Sequence, residues 1–344
     1  MTARGELSKV VGMFHKPLVS PLAPVCLVSL LSAVSMYAAD NWTRGVMMQQ
    51  SADRPGVVRI EVDGQLFAEY HAAGASRPYL YPVLAADGTP VSRRWPLEDS
   101  DDEEHDHPHH KSLWHAHGSV NGVDFWSEAK DAGQTVHVEF LEVSSGREVG
   151  VISTRNELRT KEGKRLATAD HTLRVYREEG VRVMDYDVVY RATDGEIVFG
   201  DTKEGTMAIR LAESMRLKPN KHNQGKPTGH ILNSEGVKDG ETWGKRAAWV
   251  DYHGPVDGRE VGVAIMDHPA NPRHPSWWHV RDYGLFAANP FGVHDFERKP
   301  AGTGDMKVPA GGTLTFRYRF VIHSGDEVEG KVSQRYEAYV KAGK

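Results

Sequence analysis

Six of the eighteen histidines in this chain fall between positions 105 and 117: His105, His107, His109, His110, His115 and His117. Imidazole titrates near neutral pH and ligates borderline metal ions, so such a cluster suits either proton transfer or a divalent ion. His107, His110, His115 and His117 abut Trp114 and Trp126 in the stretch DHPHHKSLWHAHGSVNGVDFW (106–126). Loops that merely solubilise rarely carry two tryptophans, so these four histidines are proton-transfer or metal-ligating candidates, with both tryptophans as candidate substrate contacts. In an extended chain alternate side chains share a face, so His115 and His117 point the same way. His105 and the acidic run 101–104 read instead as a solvated loop.

A second constellation is FGDTKEGTMAIR (199–210), where Asp201, Lys203 and Glu204 sit in a turn between glycines ahead of a strand. A lysine beside carboxylates can hold one ionised or have its own pKa moved, which acid–base catalysis requires. An exposed turn with a local salt bridge is the plain alternative. The third is DHPANPRHPSWWHVRDYGLFAANPFG (267–292), which packs His268, His274, Trp278, His279, Arg281 and Tyr283 together, with Asn289 close behind. In an extended WHVRDYG, His279, Arg281 and Tyr283 lie on one face. His279 joins the acid–base candidates and the others are candidate substrate contacts. Aromatic planes cover the C–H faces of a sugar while Arg, Asn and His take its hydroxyls or carboxylates. Alternatively, Trp277 and Trp278 belong to the core and Arg281 to a structural ion pair.

The elements that must position these residues are strands. VVRIEVDGQLFAEY (57–70) alternates around Asp63-Gly64, and YLYPVLAADGTPVSR (79–93) repeats the device at Asp87-Gly88. Between 135 and 212 five alternating segments ending in TMAIRLA predict an antiparallel meander, and 247–268 and 314–325 add further strands. Val328, Val332, Tyr336 and Val340 recur at four-residue spacing and predict a helix over 326–341. The expected fold is all-β: a large antiparallel β-sandwich with a short C-terminal helix, forming a single domain over 40–344.

The 344 residues can bury a sizeable core, and a net charge of −5 leaves no basic footprint for nucleic acid. Residues 21–39 form an apolar run behind Lys9, His15 and Lys16, and read as a secretory signal peptide over 1–39 or a retained anchor. Cleavage would give an exported, periplasmic or extracellular protein with no membrane span. It would also remove Cys26, the one cysteine, leaving neither disulfides nor thiolate chemistry. No Gly-x-Ser-x-Gly elbow, phosphate loop, dinucleotide-binding glycine pattern or His-Glu-x-x-His helix is present.

Through YPVLAADGTPVSRRWP, the three constellations, WVDYHGP and YRFVIHSG, the chain resembles an exported bacterial family of uncharacterised function labelled methane oxygenase PmoA-like. A methane monooxygenase subunit brings several membrane-spanning helices and this chain has one apolar run, so the oxygenase activity is not carried over. More distantly, SLWHAHGSVNGVDFW is similar to the histidine–glycine segment of the galactose-mutarotase-like supersandwich. That resemblance implies a histidine acid, matching His115 or His117, and a carboxylate base, matching Glu204.

Together these readings point to a secreted carbohydrate-active enzyme using His/carboxylate acid–base chemistry, of lyase, hydrolase or epimerase type. It would act without a cofactor or with one divalent metal ion, on a carbohydrate or other small polar substrate. A metal-dependent hydrolase or lyase holding its ion on His107, His110, His115 and His117 is one alternative, and a non-catalytic sugar-binding protein another.

Overall fold

The computed structural model describes residues 44–223 and 225–342. The apolar run 21–39 and Cys26 lie outside them. Most of the described chain is antiparallel strand, arranged as two eight-stranded sheets. The first sheet contains β1 (Val46–Gln50), β2 (Val57–Val62), β3 (Gln65–His71), β4 (Tyr79–Val83), β5 (Leu113–His117), β11 (Gly205–Arg210), β15 (Trp277–Val280) and β16 (Leu285–Asn289). The second contains β6 (Gln134–Ser144), β7 (Val149–Arg159), β8 (Arg165–Tyr176), β9 (Arg182–Arg191), β12 (His230–Asn233), β13 (Trp249–Val256), β14 (Arg259–Asp267) and β18 (Thr313–Ser324). A small ribbon pairs β10 (Ile197–Phe199) with β17 (Met306–Val308), and α1 (Val293–Glu297) and α2 (Val332–Ala342) are the α-helices.

The sheets pack face to face over one continuous core that takes Phe67, Leu113, Met207 and Phe286 from the first and Ile152, Tyr186, Val263 and Phe320 from the second. Alternation explains the arrangement. In β7, Gly150, Ile152, Thr154, Asn156 and Leu158 turn inward while their neighbours stay partly wet. Fully burying each large apolar side chain contributes roughly 1.5–3 kcal/mol. The Asp63-Gly64 turn joins β2 and β3 as expected, with both residues at positive φ. The Asp87-Gly88 turn follows β4 and is closed by a bridge between Leu84 and Pro90.

Two expectations need correction. TMAIRLA does not end the meander: it becomes β11, which crosses to the first sheet and pairs with β5 and β16. The C-terminal helix begins at Val332, because Asp326 Oδ1 accepts from the amides of Val328 and Glu329 and turns the chain there, leaving Val328 exposed. Val332 and Tyr339, with half-buried Tyr336 alongside, seat α2 on the outer face of the second sheet, against Trp249, Met266 and Val321. No helix among the described residues is long and apolar enough to cross a membrane.

Candidate functional site

Four neighbouring strands at one end of the first sheet, β5, β11, β16 and β15, are buried on both faces. On the outer face, cross-strand register aligns Trp114, Ala208, Ala287 and His279 in one rung across β5, β11, β16 and β15. The indole and both alanines are fully buried, and His279 at the end of the rung lines a cleft of about 370 Å³, within the size range of small-molecule sites.

One wall is the loop 106–110. Asp106 accepts from two fully buried guanidiniums, Arg93 and Arg210, the latter at 2.8 Å, and its other oxygen lies 3.1 Å from His107 Nδ1. Burial alone would raise the Asp106 carboxyl; the His107 hydrogen bond and the two arginines outweigh it and hold the group far below the carboxylate range. His107 stacks between Tyr283 (5.0 Å) and His110 (4.8 Å), and His110 in turn lies 5.2 Å from Trp114. Arg210 Nη1 sits 3.2 Å from His110 Nδ1; a guanidinium can only donate, so Nδ1 accepts and Nε2 carries the proton. Burial, then the Arg210 charge, pushes His110 well below its ordinary pKa, and burial with Arg77 lowers His109 to about 4. Buried Arg77 donates to the carbonyls of Phe125, Trp126 and His109, while Asp124 accepts from the amides of Trp126 and Ser127; together they fix the Trp126 lip.

The opposite wall is the turn carrying Lys203 and Glu204, and it is tied from behind. Asp201 accepts from the amides of His294 (2.9 Å) and Gly304 (2.7 Å), Asp295 accepts from the Lys203 amide (2.8 Å), and Asn289 Nδ2 donates to the carbonyls of Thr202 and Lys203. Lys203 Nζ lies 3.3 Å from Glu204 Oε1, and both side chains keep more than a third of their surface in solvent. His117 Nε2 donates to the Gly200 carbonyl at 2.8 Å, and a Cβ on Gly205 would come within 2.7 Å of His117 Nδ1. His117 and Gly205 therefore set the path of this turn.

At the far end Trp243 Nε1 donates to His279 Nδ1 at 3.0 Å, leaving the His279 proton on Nε2. Burial, then Arg281 and Lys203, lowers His279 to about 3. Arg281 is held over the rings of Tyr283 (5.5 Å) and Trp243 (5.8 Å). Burial pushes the Tyr283 phenol up. The cleft thus presents two neutral N–H donors, His110 and His279, a His107–Asp106 pair, a wetted carboxylate and two cations.

Of the sequence candidates, His107, His110, Lys203, Glu204, His279, Trp126, Arg281 and Tyr283 line this one cleft. Trp114 lies beneath its floor. The rest go elsewhere. His115 and His117 do share a face, but it is the inner one. His115 Nδ1 lies 3.2 Å from the Tyr190 hydroxyl of the second sheet, and His117 packs on Phe291 at 4.4 Å. Burial pushes His115 well below its ordinary range and His117 to about 4. His107, His110, His115 and His117 therefore do not converge as one metal site: β5 separates the pairs. Asp201 and Asn289 hold the Glu204 turn from outside the cleft. Trp278 is a core residue donating to the Ala247 carbonyl at 2.9 Å. His274 pairs with Asp267 (2.8 Å) and His268 packs on Tyr339, both at α2. The 101–105 stretch is not simply solvated either: His105 stacks on Trp95 at 4.9 Å, and buried Glu103 accepts from the Arg94 and Trp95 amides.

Sequence reasoning missed His109, Asp124 and Ser127 on the cleft, and the supporting Arg77, Arg93, Asp106, Arg210 and Trp243. Their signal was proximity alone, since Asp106, His109 and Asp124 stand inside the quoted histidine segment.

The solved structures that resemble this chain include carbohydrate-active enzymes and mutarotase-like proteins. The α-galactosidase of Lactobacillus brevis is 9% identical with a TM-score of 0.40, and a glycoside hydrolase family 97 enzyme of Pseudoalteromonas sp. strain K8 is 11% identical with 0.34. Each alignment covers 83% of this chain, which spans only 40% and 35% of those enzymes. A galactose mutarotase-like protein of Lactobacillus casei ATCC 334 is 8% identical with a TM-score of 0.35, covering 81% of this chain and 100% of that one. Likenesses at these scores carry no argument about activity. No curated protein matches the sequence. A family model described as a family of unknown function (DUF6807) matches residues 57–337, without the PmoA-like label, and the chain therefore belongs to the DUF6807 family.

Proposed function

We propose that this chain is a secreted carbohydrate-active enzyme that works by acid–base chemistry in the cleft on the first sheet. The observation that carries the reading is convergence. Three segments distant in sequence, 106–126, 199–210 and 267–292, bring His107, Glu204, His279 and Arg281 to one hollow beside Trp126 and Tyr283. Glu204, wetted and unencumbered by buried partners, takes a proton from the substrate. His107, oriented by Asp106, passes a proton to or from the leaving or carbonyl oxygen. His110 and His279 stay neutral at pH 7 and donate Nε2–H bonds to an oxygen that gains charge, as preorganised dipoles do in electrostatic catalysis. Lys203 and Arg281 bind a carboxylate or a hydroxyl-rich edge, and Trp126 covers a sugar C–H face. The apolar run 21–39, read as a signal peptide, is what supports export.

The test is incubation with a panel of oligosaccharides, including oxidised and uronic sugars, read by product mass. Gain of water marks a hydrolase, a cleaved product without added water a lyase, and an unchanged mass with altered chromatography an epimerase. Saturable binding of a panel sugar with no product, weakened by Glu204→Gln, would replace catalysis with simple recognition.

A further inference from the structure

The second sheet carries a polar cluster that the cleft does not use. Register places His230, His253, Gly262 and His323 in one rung across β12, β13, β14 and β18. His253 shares its face with Trp249, the outer face on which α2 sits, and Asp251 stands two residues before it on the same strand. Asp251 is fully buried. Its Oδ1 lies 2.9 Å from His253 Nδ1 and its Oδ2 2.7 Å from His323 Nε2. Glu327, from the segment that turns into α2, brings Oε2 to 3.9 Å from His253 Nδ1. One ligand atom each from Asp251, His253 and Glu327 lies within 4.8 Å of the other two.

We propose that Asp251, His253 and Glu327, with His323 steadying Asp251 through its other oxygen, form a site for one divalent transition-metal ion of the zinc type, fastening the segment that leads into α2 to the second sheet.

Donor chemistry, spacing and support carry the assignment. An imidazole nitrogen among two carboxylates favours zinc-like ions over calcium or magnesium, which take all-oxygen shells. Zinc bonds of about 2.0–2.2 Å in a tetrahedron place donors roughly 3.3–3.6 Å apart. The separations of 2.9 and 3.9 Å bracket that spacing, and partly exposed Glu327 supplies the adjustment. His323 Nδ1 faces the Ser324 carbonyl at 3.1 Å; a carbonyl only accepts, so Nδ1 carries a proton and Nε2 is the atom turned to the cluster. There it holds Asp251 Oδ2 at 2.7 Å, as outer partners hold metal-ligating carboxylates. The ring also lies in a cradle of glycines. A Cβ on Gly262 would meet His323 Cε1 at 2.3 Å, and one on Gly330 would meet Nδ1 at 2.4 Å.

The experiment uses untagged full chain, stripped with chelator and titrated with zinc chloride by calorimetry and thermal melting. Cobalt(II) absorption reports the coordination geometry. One equivalent of zinc is expected to raise Tm, with cobalt giving the intense visible band of a tetrahedral site. Glu327→Gln, at a partly exposed position, weakens zinc at least about tenfold, and His253→Gln abolishes the cobalt band. His107→Ala keeps both signals, which separates this site from the cleft histidines. No zinc-dependent Tm rise in the parent, or equal binding by Glu327→Gln and His253→Gln, overturns the assignment. If a variant fails to fold, the parent's cobalt spectrum still decides: an octahedral, weak band rejects it.

Discussion

In the cleft on the first sheet His109, His110 and His279 are held toward the neutral imidazole, whereas on the outer face of the second sheet His253 and His323 are drawn toward the charged form. Burial acts against charge in all five. What differs is the neighbour. The cleft histidines face Arg77, Arg210, Arg281 and Lys203, and the half-buried carboxylate of Asp106 is occupied by Arg93 and Arg210. His253 and His323 share Asp251, whose hydrogen bonds and charge outweigh desolvation. Residue type therefore does not settle a histidine's role; the ownership of the nearest carboxylate does.

The largest expected effect tests the cleft half of this contrast. Glu204→Gln should lower turnover on any substrate the panel identifies by about 10²–10⁴-fold while leaving the melting temperature within error, because the side chain is wetted and makes no core contact. Next, Asp251→Ala strips two buried histidines of their shared acceptor. Urea unfolding should show a loss of about 3 kcal/mol or more, with Glu204-dependent activity retained at temperatures where the variant stays folded. An unchanged midpoint would mean that Asp251 does not organise that face.

The pH dependence comes third. His117, His171 and His279 have folded pKa values of about 4, 4 and 3 against 6.5 when unfolded, all by burial first. Their contribution is complete above pH 6.5. Between pH 6.5 and 4 the unfolded chain binds protons that the folded chain refuses. Stability falls with pH there by up to about 1.4 kcal/mol per unit for each group. In chelator-stripped protein the His253–Asp251–His323 group has the opposite sign, contributing below 6.5 and losing its contribution as pH rises through the raised folded values. Unfolding at pH 7, 6 and 5, with imidazole NMR across the same range, separates the two. The contrast breaks if His253 and His279 titrate together. Smallest, Gly205→Ala should cost about 1–3 kcal/mol by driving a methyl into His117, and should lower activity through the displaced Glu204 turn.

Much of this was legible in the chain. A strand such as β7 announces itself by alternation, because one side meets the core and the other meets water. The three chemistry-bearing segments were also readable, as was the shared face of His279, Arg281 and Tyr283. What the pattern could not give was the destination of β5 and β11. Both are buried on either side, so LWHAH and GTMAIR carry no polar alternation to show which face is which. His115 and His117 were consequently placed in the cleft while their neighbour Trp114 was the residue beneath it. The partners that tune the site were illegible for another reason. Arg210 reaches Asp106 across 104 residues, a separation that no local spacing encodes.

The turn that bears Glu204 is lashed down from its rear by Asp201, Asn289 and Asp295, none of which enters the hollow. A workable redesign would therefore leave that turn alone and vary the Trp126–Ser127 lip. There the chain could accept new substrate shapes without loosening the carboxylate's footing.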